Sequence, residues 1–327
     1  MRNLDDIIPE LLRRGNGPSL CMRPLNRSSS PNDGDMTMIK NVAGKVWRCQ
    51  RRQWWHLSDF LRYHCRSQQH TPIINEREIR VVGMKRSGQH AIISWLQRHC
   101  DDRVYHLNNV PVYDNPFRQR ATYYPEPGLA EEARGEFTPK ELLIVSHEDF
   151  GMDQVASARW RKYHDMFVGR SRESYVILVL RDPFNMMASR IKAGMLKTRH
   201  PQLSPTELWV QHARVFLGES RYYGREMLVP VNYNQWFESS TYREELSARL
   251  GMSRNDLGIG AVSKHGGGSS FDGLHHRAAP QRMDVMGRWR YFRNDATFRA
   301  MVDDSTLQKY AYRIFGELEA IRWLSNR

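Results

Sequence analysis

The sequence predicts an α/β protein in which helices flank one parallel sheet. Short apolar runs of the kind found in buried parallel strands occur at 79–83, 141–146 and 175–180. The first and third runs lead through a turn into a segment whose apolar residues have helical spacing. Strands that alternate with helices along a chain are typical of α/β folds, because parallel strands need crossover connections.

The composition is that of a folded, basic protein. With 327 residues, of which 40% are hydrophobic and 11% aromatic, the chain can build a substantial core, and we expect one large α/β domain. Forty-nine Lys and Arg against 36 Asp and Glu give a net charge of +13. This charge favours anionic partners, which include nucleotides, nucleic acid, acidic lipid surfaces and anionic saccharides.

Several classes of protein are disfavoured by what the sequence lacks. The four cysteines form no CxxC pair and have no metal-ligand spacing with histidine, so we expect free thiols in a reducing compartment. No apolar run approaches the ~20 residues of a membrane span, and the N-terminus lacks the apolar core of a secretory signal. We therefore expect a soluble cytoplasmic enzyme.

Residues 1–75 are predicted to be a basic, aromatic-containing extension of the main domain, 76–327. Its first 40 residues have linker composition and are expected to be loosely ordered, and Met36 and Met38 are plausible alternative starts. Residues 41–69 are helix-prone, basic and aromatic. This helix could lie on an anionic membrane as a peripheral contact, but apolar positions scattered around it favour packing on the main domain.

The segment 78–100 combines a strand, a basic glycine turn and a helix. Lys85, Arg86, Ser87 and Gly88 form the turn. Amides at the start of a helix lack partners within the helix, and the helix dipole and the cationic side chains add positive charge. The turn is therefore a candidate anion cradle. The alternative is an ordinary connection between strand and helix with charges on its surface.

Two further polar groups follow predicted strands. His147 comes directly after the run that ends at Ser146, and it is a candidate general base or, alternatively, a surface histidine. Arg181 directly follows the run 175–180, and Ser189 lies eight residues beyond it, about two turns into the next predicted helix. Two strand ends thus carry an arginine where open α/β sheets bind ligands.

The remaining segments are predicted in less detail. We expect the long insertion 108–135 to form a binding loop and the glycine-serine segment 263–273 to form a mobile loop or lid. Strands are also expected at 104–107 and 227–231, and helices at 206–225, 242–251 and 305–324.

In this order the motifs resemble the sulfotransferase superfamily, whose members use 3′-phosphoadenosine-5′-phosphosulfate (PAPS). The basic turn before Ser87-Gly88 is similar to the family's 5′-phosphosulfate loop, although Gln89 and His90 stand where threonines usually follow. Arg181 with Ser189 resembles the 3′-phosphate motif, and His147 stands where many members have a catalytic histidine.

A fourth segment strengthens the resemblance near the C-terminus. Arg282, with Gly287 and Trp289, is similar to the family's C-terminal arginine signature, although Arg288 replaces an aspartate there. The resemblance covers roughly 76–320 and implies a three-layer, P-loop-NTPase-like sheet. It implies in-line transfer of a sulfuryl group from PAPS to a hydroxyl acceptor, with 3′,5′-ADP as product and no metal required.

The resemblance also implies roles for individual residues. Catalysis is expected from His147, Arg86 and Lys85. The residues expected to bind the cofactor are Lys85, Arg86, Ser87, Gly88, Gln89, His90, Arg181, Ser189 and Arg282. The basic surface favours an anionic saccharide or lipid-linked glycan as acceptor, with small hydroxylated metabolites as the alternative, and no nucleic acid is expected as partner.

Two alternatives from other classes remain. A P-loop nucleotide kinase or NTPase shares the strand-turn-helix motif, but Gln89 and His90 occupy the positions of its lysine and its magnesium-binding hydroxyl. A basic nucleic-acid-binding protein would account for the charge and for the Trp/Arg segment 47–66. It would leave the arginines at the strand ends unexplained.

Overall fold

The computed structural model describes residues 33–65, 72–123, 126–222, 224–253, 256 and 285–326. By its contacts the chain divides after Cys65 into two compact units. In the first unit, the described residues form one long helix, α1 (Asp33–Cys65). Helix α1 begins at Asp33, within the stretch that the sequence predicts to be loosely ordered. None of the described helices combines the length and apolar character needed to cross a membrane.

The second unit contains the described strands and the other described helices. The strands are β1 (Ile73–Gly83), β2 (Val104–Leu107), β3 (Lys140–Glu148), β4 (Arg170–Leu180) and β5 (Met227–Asn232). The helices are α2 (Gln89–Gln97), α3 (Pro116–Tyr123), α4 (Leu129–Arg134), α5 (Met152–Val155), α6 (Ala158–Val168), α7 (Pro183–Lys192), α8 (Pro205–Phe216), α9 (Tyr233–Glu238), α10 (Ser240–Arg249), α11 (Ala296–Val302), α12 (Ser305–Phe315) and α13 (Glu319–Ser325). A 3₁₀ helix spans Arg288–Phe292.

The five strands form one parallel sheet in the order β2-β3-β1-β4-β5. Its register aligns the strand ends, because Gly83 lies opposite Glu148 of β3 on one side and Val179 of β4 on the other. The turn after β1 is therefore level with the end of β3 and with Arg181 after β4. This register positions the candidate site.

Helices cover both faces of the sheet. On one face, Val81 packs in a buried cluster with Trp95 of α2 and Trp236 of α9. On the other, Val145 packs with Trp160 of α6. Burying one large apolar side chain contributes about 1.5–3 kcal/mol, so these clusters supply much of the driving force for folding. The predicted three-layer α/β fold with a parallel sheet is confirmed.

Several element boundaries differ from the predictions. β3 extends two residues beyond Ser146, to Glu148. The insertion 108–135 is not irregular throughout, because it contains α3 and α4. The predicted final helix is two helices, separated at Gly316, whose φ of +74° favours glycine and ends α12. The predicted lid, 263–273, lies outside the described residues.

Candidate active site

Glycine and a backbone hydrogen bond shape the turn between β1 and α2. Gly88 has a φ of +86°, and a Cβ atom there would lie 2.1 Å from the Tyr233 ring, so only glycine fits. The Ser87 amide donates to the Met84 carbonyl at 3.0 Å. Among the described residues, no side chain caps the first amides of α2. Apart from the Ala91 amide, which donates to the Gly88 carbonyl at 3.0 Å, these donors at the positive end of the helix dipole are available to an anionic ligand.

Asp149 and Arg190 fix the backbone of the turn. Asp149 Oδ1 accepts a hydrogen bond from the Lys85 amide at 2.9 Å and one from Arg190 Nη1 at 2.6 Å. Arg190 Nη1 also donates to the Lys85 carbonyl at 3.3 Å. Both side chains of this ion pair are buried, and removing one partner of such a pair typically costs about 3–5 kcal/mol. The pair therefore holds the turn against β3 and α7.

Two arginines meet at the turn, and among the described residues neither hydrogen-bonds a carboxylate, although Glu148 acts on Arg86 at longer range. Arg181 is 3% exposed, and it donates from Nη1 to the Arg86 carbonyl at 3.2 Å and from Nη2 to the Val285 carbonyl. Its guanidinium carbon lies 5.4 Å from the centre of the Tyr233 ring. Burial and the charge of Arg181 lower the pKa of Arg86. Within the described part of the chain, neither guanidinium hydrogen-bonds a carboxylate. Such an arrangement favours a bound anion.

A strip of polar groups extends from Arg181 along α7. The Met286 carbonyl accepts a hydrogen bond from Asn185 Nδ2 at 2.9 Å. One turn further, the Ser189 hydroxyl donates to the Asn185 carbonyl at 2.8 Å and accepts from Arg288 Nη1 at 3.2 Å. Both Ser189 and Arg288 are buried. The segment after Val285 thus runs beside α7 and adds a second buried guanidinium to the one at Arg181.

Glu148 lies on the face of β3 that meets α2. Its Oε1 accepts a hydrogen bond from Gln89 Nε2 at 2.7 Å and lies 3.4 Å from His90 Nε2. Burial alone would raise the pKa of Glu148, but His90, Gln89 and Lys85 outweigh it and hold that pKa below its usual range. An ionised carboxylate, 11% exposed, is therefore present beside the cationic turn at neutral pH.

His147 lies on the opposite face of β3, because successive residues of a strand alternate between faces. It is completely buried, with its ring at right angles to Phe150 and nearly so to Trp160. Its Nδ1 lies 2.7 Å from the Val110 carbonyl, and burial together with the charge of Arg80 lowers its pKa to about 3. The prediction that His147 follows the strand is wrong, since β3 continues through it.

A cavity of about 660 Å³ lies beside the ends of β4 and β5. Asp182, which directly follows Arg181, and Asn234, which directly follows Tyr233, are among the residues that line it. The other carboxylates of its lining are Glu238, Glu317 and Glu319. Carboxylates repel phosphate groups, so this cavity differs in charge preference from the neighbouring turn.

The structure assembles most, but not all, of the residues that the sequence singled out. At one edge of the sheet it brings together Lys85, Arg86, Ser87, Gly88, Gln89, His90 and Arg181. Ser189 is two turns along α7, bonded to Arg288. His147 faces the core instead, and Arg282 lies outside the described residues.

Five residues of the site were missed, and each had a weak signal in the sequence. Glu148 and Asp149 directly follow His147, Arg190 follows Ser189, Tyr233 follows β5, and Arg288 lies within the C-terminal signature. The sequence could therefore have indicated these residues only by their position beside a strand end or a motif. Sequence alone does not show which neighbouring side chain turns toward the site.

Comparison with solved structures finds remote likenesses. The sulfotransferase domain of the olefin synthase of Synechococcus PCC 7002 is 14% identical, with a TM-score of 0.45 over 77% of this chain and 100% of that chain. The sulfotransferase domain from the curacin biosynthetic pathway is 12% identical, with a TM-score of 0.42 over 76% and 100%. A mouse sulfotransferase complexed with PAP is 16% identical, with a TM-score of 0.39 over 77% and 89%.

At the level of sequence, no protein-family model matches the chain, and no curated protein matches it significantly. Likenesses of 12–16% identity assign no activity. The class that the fold and the site define is an α/β protein with a cationic turn at the carboxyl end of its parallel sheet. A more specific function has to be argued from the site itself.

Proposed function

We propose that the protein transfers a sulfuryl group from PAPS to a hydroxyl acceptor. The observation that carries the proposal is the contact between Arg181 and the Arg86 carbonyl, which places the Arg181 guanidinium at the turn. Neither this guanidinium nor that of Arg86 hydrogen-bonds a carboxylate among the described residues. A second buried guanidinium, Arg288, is bonded to Ser189. A nucleotide with anionic groups at both its 5′ and 3′ positions is complementary to these two sites.

The turn is the proposed binding site for the 5′ end. PAPS, when bound, supplies the activated sulfuryl group. Lys85, Arg86 and the first amides of α2 would bind its anionic end and stabilise the charge that develops on the leaving phosphate. The buried Ser87 hydroxyl oxygen has no hydrogen-bond partner among the described residues, which supports a further contact to this group.

The strip along α7 is the proposed binding site for the 3′-phosphate. Arg181 offers a planar fork of donors, and its buried Nε has no partner among the described residues. Ser189 and Arg288 would add a hydroxyl and a second guanidinium. Arg282 remains a proposed ligand from the sequence resemblance.

Glu148, rather than His147, is the proposed proton acceptor. The Glu148 carboxylate is partly exposed beside the turn, whereas His147 is buried on the other face of β3. Glu148 would accept the proton that the acceptor hydroxyl loses while its oxygen bonds to sulfur. Lys85 and His90 lower the pKa of Glu148 in the free protein, and bound anionic groups would offset this effect and make the carboxylate more basic.

Geometry disfavours the nucleotide-kinase alternative. Gln89 stands where such enzymes have a lysine for the β- and γ-phosphates, and its amide donates to Glu148. His90, which stands where their magnesium-binding hydroxyl is, lies beside the same carboxylate. Neither position offers what a nucleoside triphosphate with magnesium requires.

Thermal-shift measurements with 3′,5′-ADP, PAPS, ATP and GTP test the proposal. We expect 3′,5′-ADP and PAPS to raise the melting temperature, because ligands that bind only the native state stabilise it. ATP and GTP lack the 3′-phosphate and should have little effect. Stabilisation by ATP alone would contradict the proposal and support a kinase or NTPase.

The acceptor class is also proposed from charge. A net charge of +13 favours an anionic saccharide or a lipid-linked glycan over a neutral small molecule. Incubation with labelled PAPS and matched panels of acidic and neutral saccharides tests this preference. Transfer confined to neutral small hydroxylated compounds would contradict the acceptor class and leave the transfer reaction intact.

A further inference from the structure

Helix α1 exposes several large apolar side chains, and four of them share one side of the helix, whereas Phe60 and Tyr63, which are also exposed, lie outside that side. Trp47, Trp54 and Leu61 are spaced by seven residues and are 59%, 44% and 45% exposed. A spacing of seven returns to within ~20° of the same face of a helix. Leu57, also exposed, is four residues from Leu61 and therefore about 40° away on that helix. These four residues, here called the apolar stripe, extend roughly 21 Å along α1.

Positive charge accompanies the apolar stripe. The sequence of α1 contains six Lys and Arg and three Asp. Arg51 lies between two of the tryptophans on its side of the helix, with its guanidinium carbon 4.3 Å from the Trp47 ring centre and 4.8 Å from that of Trp55. Exposed apolar side chains flanked by cations are the pattern of a helix that binds at a lipid surface.

We propose that the apolar stripe docks α1 on an anionic membrane surface, with the helix parallel to the bilayer. Tryptophan prefers the interface between acyl chains and headgroups, where its ring is buried and its N–H stays close to polar groups. Each Lys or Arg near an anionic leaflet adds attraction that weakens with salt. The two contributions together account for both the exposed aromatics and the excess of cations.

A second copy of the chain is the rival occupant, because a seven-residue apolar repeat also suits a helix pair. Charge favours the membrane. Two copies of a helix with six cations and three acids repel each other, whereas an anionic lipid surface attracts both. Two of the four stripe positions are tryptophan, which is bulkier than the Leu, Ile and Val that fill helix-pair seams.

Vesicle co-sedimentation of the full-length protein tests the proposal. The probes are vesicles of phosphatidylcholine alone and of phosphatidylcholine with about one third phosphatidylserine, each at low and at high salt. We expect binding to the anionic vesicles at low salt, a several-fold weaker binding at high salt, and little binding to phosphatidylcholine alone. Equal binding to the two vesicle types, or none to either, would overturn the proposal.

Variants separate the apolar stripe from general basicity. Trp54→Ala combined with Leu61→Ala should lower the partition coefficient between vesicle and water by at least about tenfold. Each substitution removes a large apolar group that the membrane would bury. Gln53→Ala, an exposed neighbour off the stripe, is the matched control and should bind like the wild type. Circular dichroism checks that α1 stays helical. Unchanged vesicle binding by the double variant would overturn the proposal. A wild type that forms a dimer and does not bind vesicles, together with a double variant that is monomeric, would also overturn it.

Discussion

Two clusters of buried charge in the second unit are built in opposite ways. In the interior cluster, Arg80 on β1 pairs with Glu226 at 2.8 Å, and its guanidinium carbon lies 4.2 Å from the centre of the Trp160 ring. In the edge cluster, at the ends of the strands, Arg86 and Arg181 have no acidic hydrogen-bond partner among the described residues. The interior cluster pairs its arginine directly with a carboxylate, whereas in the described part of the chain the edge cluster has only a longer-range interaction, between Arg86 and Glu148.

This difference indicates which cluster serves the fold and which serves a ligand. Burial alone would raise the pKa of Glu226, but Arg80 outweighs it and lowers the pKa to about 2. Burial likewise opposes the charge of His164, but Glu78 and Asp165 outweigh it and raise that pKa to about 10. In this cluster the chain therefore gives each of these buried charges a partner of opposite charge. Arginines that have no hydrogen-bonded carboxylate, at the carboxyl ends of the strands, favour an anion from outside.

The largest expected effect is on turnover at the edge. Glu148→Gln should lower kcat by roughly 10²–10⁴-fold, because an amide cannot accept the proton of the acceptor hydroxyl. Binding of 3′,5′-ADP should change little, since the amide keeps the hydrogen-bonding oxygen. Turnover is measured with an acceptor that the wild type sulfates, and binding by calorimetry. His147→Gln is the control, and a larger loss of turnover in that variant would return the role to His147.

The next effect is on stability in the interior. Glu226→Gln should lower the free energy of unfolding by about 3–5 kcal/mol, because it leaves Arg80 buried without its counter-charge. Glu76→Gln breaks an exposed pair with Arg172, 2.6 Å apart, and should change the free energy of unfolding much less, because solvent screens exposed pairs. Urea unfolding measures both. Equal losses would show that burial does not distinguish the interior cluster from a surface pair.

A smaller change is expected for nucleotide affinity. Arg181→Ala should weaken 3′,5′-ADP binding by roughly ten- to over a hundredfold, because a charge-assisted hydrogen bond contributes about 1.5–3 kcal/mol. Arg181→Lys keeps the charge but loses the fork, so its affinity should be intermediate. Calorimetry provides the affinities. An unchanged affinity in the alanine variant would remove Arg181 from the binding site.

The smallest expected effect is a pH dependence of the interior cluster. The pKa of His164 is raised from 6.5 to about 10, so its contribution to stability is complete below pH 6.5 and is lost as pH rises through about 10. His164→Gln should flatten the dependence of the unfolding free energy between about pH 7 and about pH 9.5. The test compares urea unfolding of both proteins across that range. An equal slope in the variant would assign it to other groups.

Hydrophobic periodicity predicted the strands of the sheet. It also predicted that the basic turn and Arg181 lie together at the carboxyl ends of those strands. It could not decide between His147 and Glu148, because strand ends are uncertain by one or two residues and a shift of one residue exchanges the two faces of a strand. The structure ends β3 at Glu148 and turns that side chain to the site. The motif therefore located the strand end, and the structure places the His147 side chain on the other face of the strand, in the core.

Contacts between segments that are distant in sequence could not be predicted, for a different reason. The pairing of Asp149 with Arg190 joins residues 41 apart in sequence, and the bond from Arg288 to Ser189 joins residues 99 apart. Local pattern carries no information about such partners. The break at Gly316 was readable in principle, since glycine in a helical pattern marks a candidate helix end.

Titration of 3′,5′-ADP and of 5′-AMP into the wild type and into Arg181→Ala tests the central claim most directly. The two nucleotides differ in the 3′-phosphate alone, so the ratio of their affinities isolates the site formed by Arg181, Ser189 and Arg288. We expect the wild type to bind 3′,5′-ADP at least about tenfold more tightly than 5′-AMP, and Arg181→Ala to lose most of this preference. Equal affinities for the two nucleotides in the wild type would contradict the account.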